Sequence, residues 1–252
     1  MNYTIITDEK ILQDFIDWLP ELKSHECYYF CLFARSKYAK NEDGTNKFPR
    51  INTDKARLKR FVANKKEFIL QKIKQLQVEI GAYKTKNGED VPQEALALYI
   101  NPGPRNQKKA MFVLMKKLID LQMYDAEGFS LHAEALSAIQ KSKSKTTFID
   151  FDIDVENAEE YVLNKIDFKQ INKEAIHFLK TRGGMHLLIE LSKVNPGYLN
   201  TWYKYFQNNF TVDITGDNMI PVPGTYQGGF TPHFIDIYNI LANKNNEKSK
   251  FR

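Results

Sequence analysis

Three aspartates alternate with apolar residues in the run FIDFDID, which begins at Phe148. In an extended strand Asp150, Asp152 and Asp154 would share one face, with neighbouring side chains about 6–7 Å apart. Because like charges at that spacing repel each other, we expect a positive group among them. A pair of Mg²⁺ or Mn²⁺ ions would serve, in the arrangement that stabilises the attacking and leaving oxygens of phosphoryl transfer. An exposed edge strand whose aspartates face water is the competing interpretation.

A glycine pair precedes a histidine in the run TRGGMH, which ends at His186. Gly183 and Gly184 would let a polyphosphate approach the backbone, and Arg182 offers a fork of donors. His186 can hydrogen-bond to a phosphate oxygen or, when protonated, neutralise it. A histidine on a strand can also be purely structural, and we assign that role to His177. The segment is therefore a candidate nucleotide-binding element.

A further carboxylate and a proline-rich loop follow. Asp213 comes directly after an apolar residue and is the candidate third acid, although it can equally be a turn aspartate. The loop IPVPGT at residues 220–225 combines two confined prolines with Gly224, which permits close approach of a ligand or of the chain itself. Three other acids are alternatives to the chosen carboxylates: Asp154, Asp217 and Asp236.

The second half of the chain predicts the strands that would carry these residues. Strict alternation favours a half-buried strand at 146–154. Residues 176–181 and 185–191 suggest a hairpin turning through Gly183 and Gly184, one of which we expect at positive φ. Apolar residues at helical spacing predict a helix over 198–206. Because removing Asp150 would relieve repulsion on the strand, we expect Asp150→Ala to leave the fold intact.

The first half also alternates strands and helices. Asp8 is a candidate N-cap for a helix that runs to Leu19. The apolar run Cys27–Ala34 suits a buried strand, which would place Arg35 and Lys37 at its end.

The middle of the chain carries a basic helix. We expect a long helical region opening at Thr53 and Asp54, then a strand at 96–100 and a turn at 101–104. A helix follows whose basic face includes Lys108 and Lys109; these are possible nucleic-acid contacts, although such a face is usually only solvated. The residues expected to point inward on it are Met111, Leu114, Met115 and Leu118.

Bulk composition excludes several classes of protein. The 252 residues are 42% apolar and 27% charged, which is typical of globular chains and not of collagen-like or disordered ones. The two cysteines stand within an apolar run and cannot supply a structural zinc site, so we expect both in the core of a protein from a reducing compartment. No leader or membrane-spanning run is recognisable, so we expect a cytoplasmic chain with no membrane association.

Taken together, the pattern hhDhD at 148–152, the Gly-Gly-x-His ending at His186 and the Asp213 element with its PGT loop resemble the archaeo-eukaryotic primase superfamily. The closest likeness is to the primase-polymerases of phages and plasmids. Pro221 departs from the pattern, because many members carry arginine there. The resemblance implies an α/β (α+β) fold, in which an N-terminal α/β unit at 1–140 packs on an RRM-like catalytic palm at 146–242. A polar tail would occupy 243–252.

The resemblance also implies roles for these residues. Asp150, Asp152 and Asp213 would bind two catalytic Mg²⁺ or Mn²⁺ ions, and His186 would contact the phosphates of an incoming NTP or dNTP. We expect the nucleotide to be gripped further by Arg182, Gly183, Gly184 and Thr225, and the single-stranded DNA template to meet Arg35 and Lys37.

The implied activity is that of a DNA primase, a templated nucleotidyltransferase that extends a 3′-hydroxyl. A replicative helicase would be a separate polypeptide. Three alternatives stay open. The first is a catalytically silent nucleic-acid-binding module of a replication initiator, and the second is a metal-dependent nuclease that uses the same carboxylates to activate water. The third is a structural α/β protein in which these motifs are accidental.

Overall fold

The computed structural model describes residues 1–45, 47, 55–85, 87–123, 129–155, 158–163, 165, 169, 171–209, 213–215 and 218–236. Helices and antiparallel sheets are both present, which confirms the α+β class. The chain divides into two compact units. Unit 1 comprises Met1–Lys145 and Met219–Thr231, and unit 2 comprises the described residues of Thr146–Asn218 and Pro232–Arg252. The sequence interpretation had assigned Met219–Thr231 to the palm; in the structure this segment belongs to unit 1.

Unit 1 contains a sheet in the order β2-β1-β3-β8, with antiparallel pairing throughout. Its strands are β1 (Glu26–Arg35), β2 (Lys55–Ala63), β3 (Leu96–Asn106) and β8 (Ile220–Pro221). Central strand β1 is buried along nearly its whole length, as its continuous apolar sequence predicts. Both cysteines are buried and neither forms a disulfide, which confirms their place in the core.

The helices of unit 1 are α1 (Glu9–Trp18), α2 (Ile69–Lys74), α3 (Gln107–Met123) and α4 (Leu131–Lys141). The Asp8 carboxylate accepts a hydrogen bond from the Ile11 amide, so the predicted N-cap of α1 is confirmed. The predicted long helix after Thr53 and Asp54 is wrong, since β2 occupies residues 55–63 and α2 is short. The apolar residues at helical spacing begin only at Ile69, where α2 begins. Residues 55–63 instead pair with one edge of β1, which needs a hydrogen-bonding partner there. Thr53 and Asp54 themselves lie outside the described residues.

The predicted turn at residues 101–104 is also wrong, because β3 continues through it to Asn106. Asn101 pairs with Tyr29 and Arg105 pairs with Cys27, so three residues of β3 lie opposite a single residue of β1. The bulge contains Pro102 and Pro104, which have no backbone N–H to donate to a hydrogen bond between strands. Strand and helix α3 then follow each other directly.

Unit 2 contains a sheet in the order β7-β4-β6-β5-β9, again with antiparallel pairing. Its elements are β4 (Phe148–Ile153), α5 (Ala158–Leu163), β5 (Ile176–Lys180), β6 (Met185–Glu190), α6 (Trp202–Asn209), β7 (Asp213–Thr215) and β9 (His233–Ile235). The predicted hairpin is confirmed, and the predicted helix at 198–206 begins later, at Trp202.

One face of this sheet forms the core of unit 2. Phe151 and Ile153 of β4 and Leu187 and Ile189 of β6 pack with residues of α5 and with Trp202 of α6. Directly opposed residues share a face, so the alternate positions of β4 and β6 lie on the other side. The alternation predicted for β4 thus separates apolar core residues from Asp150 and Asp152. Within the described residues, no helix is both long and apolar enough to cross a membrane.

The PGT loop of unit 1 packs on the start of α1. The carbonyl of Gly224 accepts hydrogen bonds from the amides of Thr7 and Asp8, each at 3.0 Å. Gly224 has φ +75°, and a Cβ there would lie 2.4 Å from the Leu12 amide nitrogen. The loop therefore requires glycine for its backbone conformation and for close packing on the helix.

We expect Gly224→Ala to lower the free energy of unfolding by at least about 2 kcal/mol, because strain at positive φ adds to a backbone clash. Urea unfolding followed by circular dichroism measures the change. Gly44→Ala is the matched control, since Gly44 has φ +80° but open space around it. Equal losses in the two variants would show that the contact with α1 adds nothing.

Candidate active site

The candidate site of unit 2 is built on the hydrogen bond between His186 and Asp150. His186 Nδ1 lies 3.0 Å from Asp150 Oδ1 and 3.2 Å from Oδ2. Both residues are buried, with 8% and 3% of their surfaces exposed. In the register of β4 and β6 His186 lies opposite Asp152, so the bond to Asp150 is diagonal. The strand pairing thus brings together two residues that are 36 positions apart in the sequence.

The other side of the imidazole faces Asp152. His186 Nε2 lies 4.0 Å from Asp152 Oδ1, and the Asp152 side chain is 38% exposed. Burial by itself lowers the pKa of His186, but the hydrogen bond to Asp150 raises it and the net pKa is above the ordinary value of 6.5. The negative charges of Asp150, Asp152 and Asp154 add to this rise. The carboxylates of β4 therefore stabilise the protonated form of His186, whereas the sequence predicts only metal ions as their positive partner.

The negative charge of Asp154 acts on His186 and helps to raise its pKa, whereas the sequence predicts Asp154 only as an alternative ligand. The alternation Asp150, Asp152, Asp154 was the signal that pointed to it. The burial of Asp150 also corrects the expectation that Asp150→Ala leaves the fold intact. That change would leave buried His186 without its hydrogen-bond acceptor, which lowers the free energy of unfolding by about 1–3 kcal/mol.

The third acid of the predicted site lies on the neighbouring strand. In the register of β4 and β7 Asp213 is directly opposite Asp152, and Thr215 is opposite Asp150. The backbone therefore puts Asp213 on the same face of the sheet as Asp150 and Asp152. The side chain of Asp213 is outside the described part of the chain, as is Asp217, whereas Asp236 is exposed.

The residues of this face suit a hard divalent cation. Among the side chains that the structure describes, no three His, Cys, Asp or Glu groups are arranged to hold a metal ion. Asp150 and Asp152 nevertheless supply carboxylate oxygens, which Mg²⁺ and Mn²⁺ prefer, and the bond from His186 uses only part of the lone-pair capacity of Asp150. These two carboxylates are the described part of the donor set that such an ion would need, and the backbone of Asp213 occupies the adjoining register position.

The hairpin between β5 and β6 delivers His186 to the site. The Thr181 amide donates to the Gly184 carbonyl at 3.0 Å and closes the turn. A Cβ on Gly184 would lie 2.6 Å from the Ile153 carbonyl oxygen and 2.7 Å from Asp154 Oδ1. Neither Gly183 nor Gly184 has the expected positive φ. Gly184 is required by its close approach to the end of β4, whereas Arg182 and Gly183 are exposed in the turn.

The remaining predicted site residues belong to unit 1. Thr225 is 1% exposed and its hydroxyl donates to the Val222 carbonyl at 2.7 Å. This corrects its assignment to nucleotide binding, because the hydroxyl is buried in the turn that it stabilises. Arg35 donates to the Tyr99 hydroxyl and lies over the rings of Tyr38 and Tyr99. Lys37 is exposed beside the Tyr38 ring.

The two lysines proposed on the basic helix lie at its start and are exposed. The Lys109 ammonium donates to the Lys143 carbonyl, and the Lys109 amide donates to the Asn106 side chain. Lys108 lies in the first helical turn of α3, about one turn before the exposed residues Met111 and Phe112.

His177 has the structural environment assigned to it. Its Nε2 lies 3.6 Å from Glu190 Oε2, and its ring packs near those of Phe148 and Phe234. Burial lowers the pKa of His177 more than the Glu190 charge raises it. His177 and His186 lie on neighbouring strands of one sheet, yet their pKa values move in opposite directions because only His186 hydrogen-bonds to a buried carboxylate and is surrounded by several others.

Comparison with known proteins gives no match: no protein-family model, curated protein or solved structure is significantly similar to this chain.

We expect Gly184→Ala to destabilise unit 2 and to displace the turn from β4, because the new methyl group has no room beside the Ile153 carbonyl. Gly183→Ala is the matched control, since a Cβ at Gly183 meets nothing within 4 Å. Urea midpoints compare the two variants, and amide exchange of residues in β6 reports the displacement. Equal midpoints for both variants would contradict the close approach.

The lowered pKa of His177 makes stability depend on pH. The imidazole of His177 binds a proton near pH 6.5 in the unfolded chain but only at a lower pH in the folded chain. The contribution of His177 to the free energy of unfolding therefore falls as the pH is lowered through 6.5. Glu190, whose pKa is also lowered, adds its loss only below pH 4.5. We expect His177→Gln to flatten the profile between pH 7 and pH 5, measured by urea unfolding against the wild type. If the free energies of unfolding of the variant and the wild type differed by the same amount at every pH in this range, the lowered pKa of His177 would be contradicted.

Proposed function

We propose that this chain is the catalytic part of a DNA primase or primase-polymerase, which transfers nucleotides from NTP or dNTP to a 3′-hydroxyl on a template. One observation carries the proposal: two aspartates alternate on β4, a histidine from the adjoining hairpin lies against both, and a third aspartate is at the opposed register position of β7. The order of these residues along the chain is that of the primase motifs.

Each residue has a defined task in this proposal. Asp150, Asp152 and Asp213 would hold two Mg²⁺ or Mn²⁺ ions. Such ions lower the pKa of an attacking hydroxyl and neutralise charge on a triphosphate. Asp150 also fixes the orientation of the His186 ring through Nδ1.

Held in this way, His186 can donate from Nε2 to a phosphate oxygen once the nucleotide approaches Asp152. Its raised pKa favours the cationic form, which binds an anion better than neutral imidazole does. The exposed turn adds Arg182 as a donor for the same triphosphate and Gly183 as backbone that a phosphate can approach.

The substrates define the partners and the compartment. Single-stranded DNA would be the template, with Arg35 and Lys37 as contacts for its phosphates, and strand separation would come from a helicase on another polypeptide. We place the protein in the cytoplasm, where nucleotides and template are present.

The decisive experiment incubates the full chain with a single-stranded DNA template, labelled NTPs or dNTPs and Mn²⁺, with and without a primer. Extended or newly initiated products on a denaturing gel support the proposal. A shortened template would instead identify a nuclease, and binding without products would identify a silent module; either result overturns the proposal.

Asp152→Asn tests the site with a nearly isosteric change at an accessible position, because the Asp152 side chain is 38% exposed whereas that of Asp150 is 5% exposed. We expect synthesis to fall more than about 100-fold, since even residues that only support metal ligands contribute up to that factor. Urea unfolding should be nearly unchanged. Asp14→Asn on α1 is the control for loss of one exposed negative charge. Full activity of Asp152→Asn would remove β4 from the site.

A further inference from the structure

Helix α3 carries apolar side chains on a buried side and on an adjoining exposed side. Ala110, Leu114 and Leu118 recur every four residues and form its inner side, where Ala110 is buried. The exposed side runs from the flank of the inner side to the far side of the helix, and its apolar residues, which we call the outer stripe, are Met111 (55% exposed), Phe112 (70%), Met115 (52%) and Ile119 (62%). Met111 and Met115 had been expected to point inward. The prediction failed because both faces of the helix are apolar, so spacing alone did not identify the inner one.

A helix that is apolar on both sides is normally buried on both sides. The outer stripe is contiguous over more than two turns, because residues 112, 115 and 119 follow the i, i+3, i+7 spacing of a single helical face. Contiguous exposed apolar surface of this kind marks an interaction site. The spacing is also that of the anchor residues with which a helix binds an apolar surface of another protein.

The outer stripe has a basic border. Lys108, Lys109 and Lys116 are exposed along it, and none of them forms an ion pair with a carboxylate that the structure describes. Lys117, one residue further on, instead pairs with Glu134 of α4. The positive charge is therefore concentrated on the side of the helix that faces outward.

We propose that the outer stripe of α3 docks an amphipathic helix of another protein, one with an apolar face bordered by glutamate or aspartate. The apolar face would cover Phe112, Met115 and Ile119, and the acidic border would meet the three lysines. Charge complementarity of this kind steers association and fixes the register of the bound helix. The surface lies in unit 1, and the proposal does not depend on the proposed catalytic function.

The same observations disfavour other occupants. A symmetric pair of α3 helices would use the same patch on both copies, so the lysines of both basic borders would lie in one interface. Single-stranded DNA binds through rows of stacking aromatic rings, whereas Phe112 is the only aromatic residue of the outer stripe. A membrane-surface helix would be expected to carry a longer apolar face with tryptophan among its residues.

The test uses the full chain and a synthetic helical peptide of 18 residues, with leucines on one face and glutamates along both borders. Fluorescence anisotropy at low salt should detect binding to the wild type and not to a scrambled peptide of the same composition. We expect Phe112→Ala with Ile119→Ala to weaken binding at least tenfold. Leu131→Ala is the control, since Leu131 of α4 is 55% exposed but lies outside the outer stripe.

A charge swap tests the basic border separately. Lys108→Glu with Lys116→Glu should weaken binding of the acidic peptide at least tenfold and should strengthen binding of a peptide in which lysines replace the glutamates. Lys10→Glu with Lys40→Glu, at two exposed lysines outside the outer stripe, is the control for the same change in net charge. Because every substituted side chain is exposed, circular dichroism should show an unchanged thermal midpoint for each variant.

Several results would overturn the proposal. These are failure of the acidic peptide to bind, equal binding of the scrambled peptide, and insensitivity to the substitutions in the outer stripe. Sedimentation that shows a dimer lost in Phe112→Ala with Ile119→Ala would assign the surface to a second copy. Binding of oligo-dT or of anionic phosphatidylserine vesicles that requires Phe112 and Ile119 would assign it to DNA or to a membrane.

Discussion

The hydrogen bond between His186 and Asp150 is the interaction on which the candidate site depends. A buried carboxylate is costly unless a charged or hydrogen-bonding partner accompanies it, and a buried imidazole cation has the same requirement. Each residue satisfies the other in the sheet of unit 2. Their pairing uses Nδ1 of the ring and leaves Asp152 as the more exposed carboxylate beside Nε2. The polar face of β4 is thus organised by one internal hydrogen bond before any ligand is considered.

The glycines of the two motifs have structural reasons of their own. Gly184 is pressed against the carbonyl of Ile153, and Gly224 packs against the first turn of α1 with a left-handed backbone. Neither position tolerates a side chain, whatever the protein binds. The acids and the histidine differ in this respect, because Asp150, Asp152 and Asp154 outnumber the one imidazole beside them, so their mutual repulsion is only partly offset. They, and not the glycines, carry the argument for chemistry.

Pairing between strands also explains where local patterns misled. Residues 55–63 and 101–106 form strands, although the possible helix start at Thr53 and Asp54 predicts a helix for the first segment and the prolines predict a turn for the second. In both cases β1 imposes the outcome, since a buried central strand must have hydrogen-bonded neighbours on both sides. The bulge in β3 shows how the sheet accommodates two prolines. Helix α3 is a different case. The sequence predicts the helix itself, but because more than one side of it is apolar, spacing does not identify the side that faces the core.

The sequence by itself determined the local elements with strong alternation: β4 with its aspartates, the hairpin that ends at His186, the buried strand β1 and the N-cap at Asp8. These follow from period, turn residues and capping, which act over a few residues. Tertiary structure alone decided that His186 bonds diagonally to Asp150, that Asp213 is opposite Asp152, and that Thr225 is buried in its own turn. Such contacts depend on strand order and register, which join residues far apart in the chain and leave no trace in local spacing.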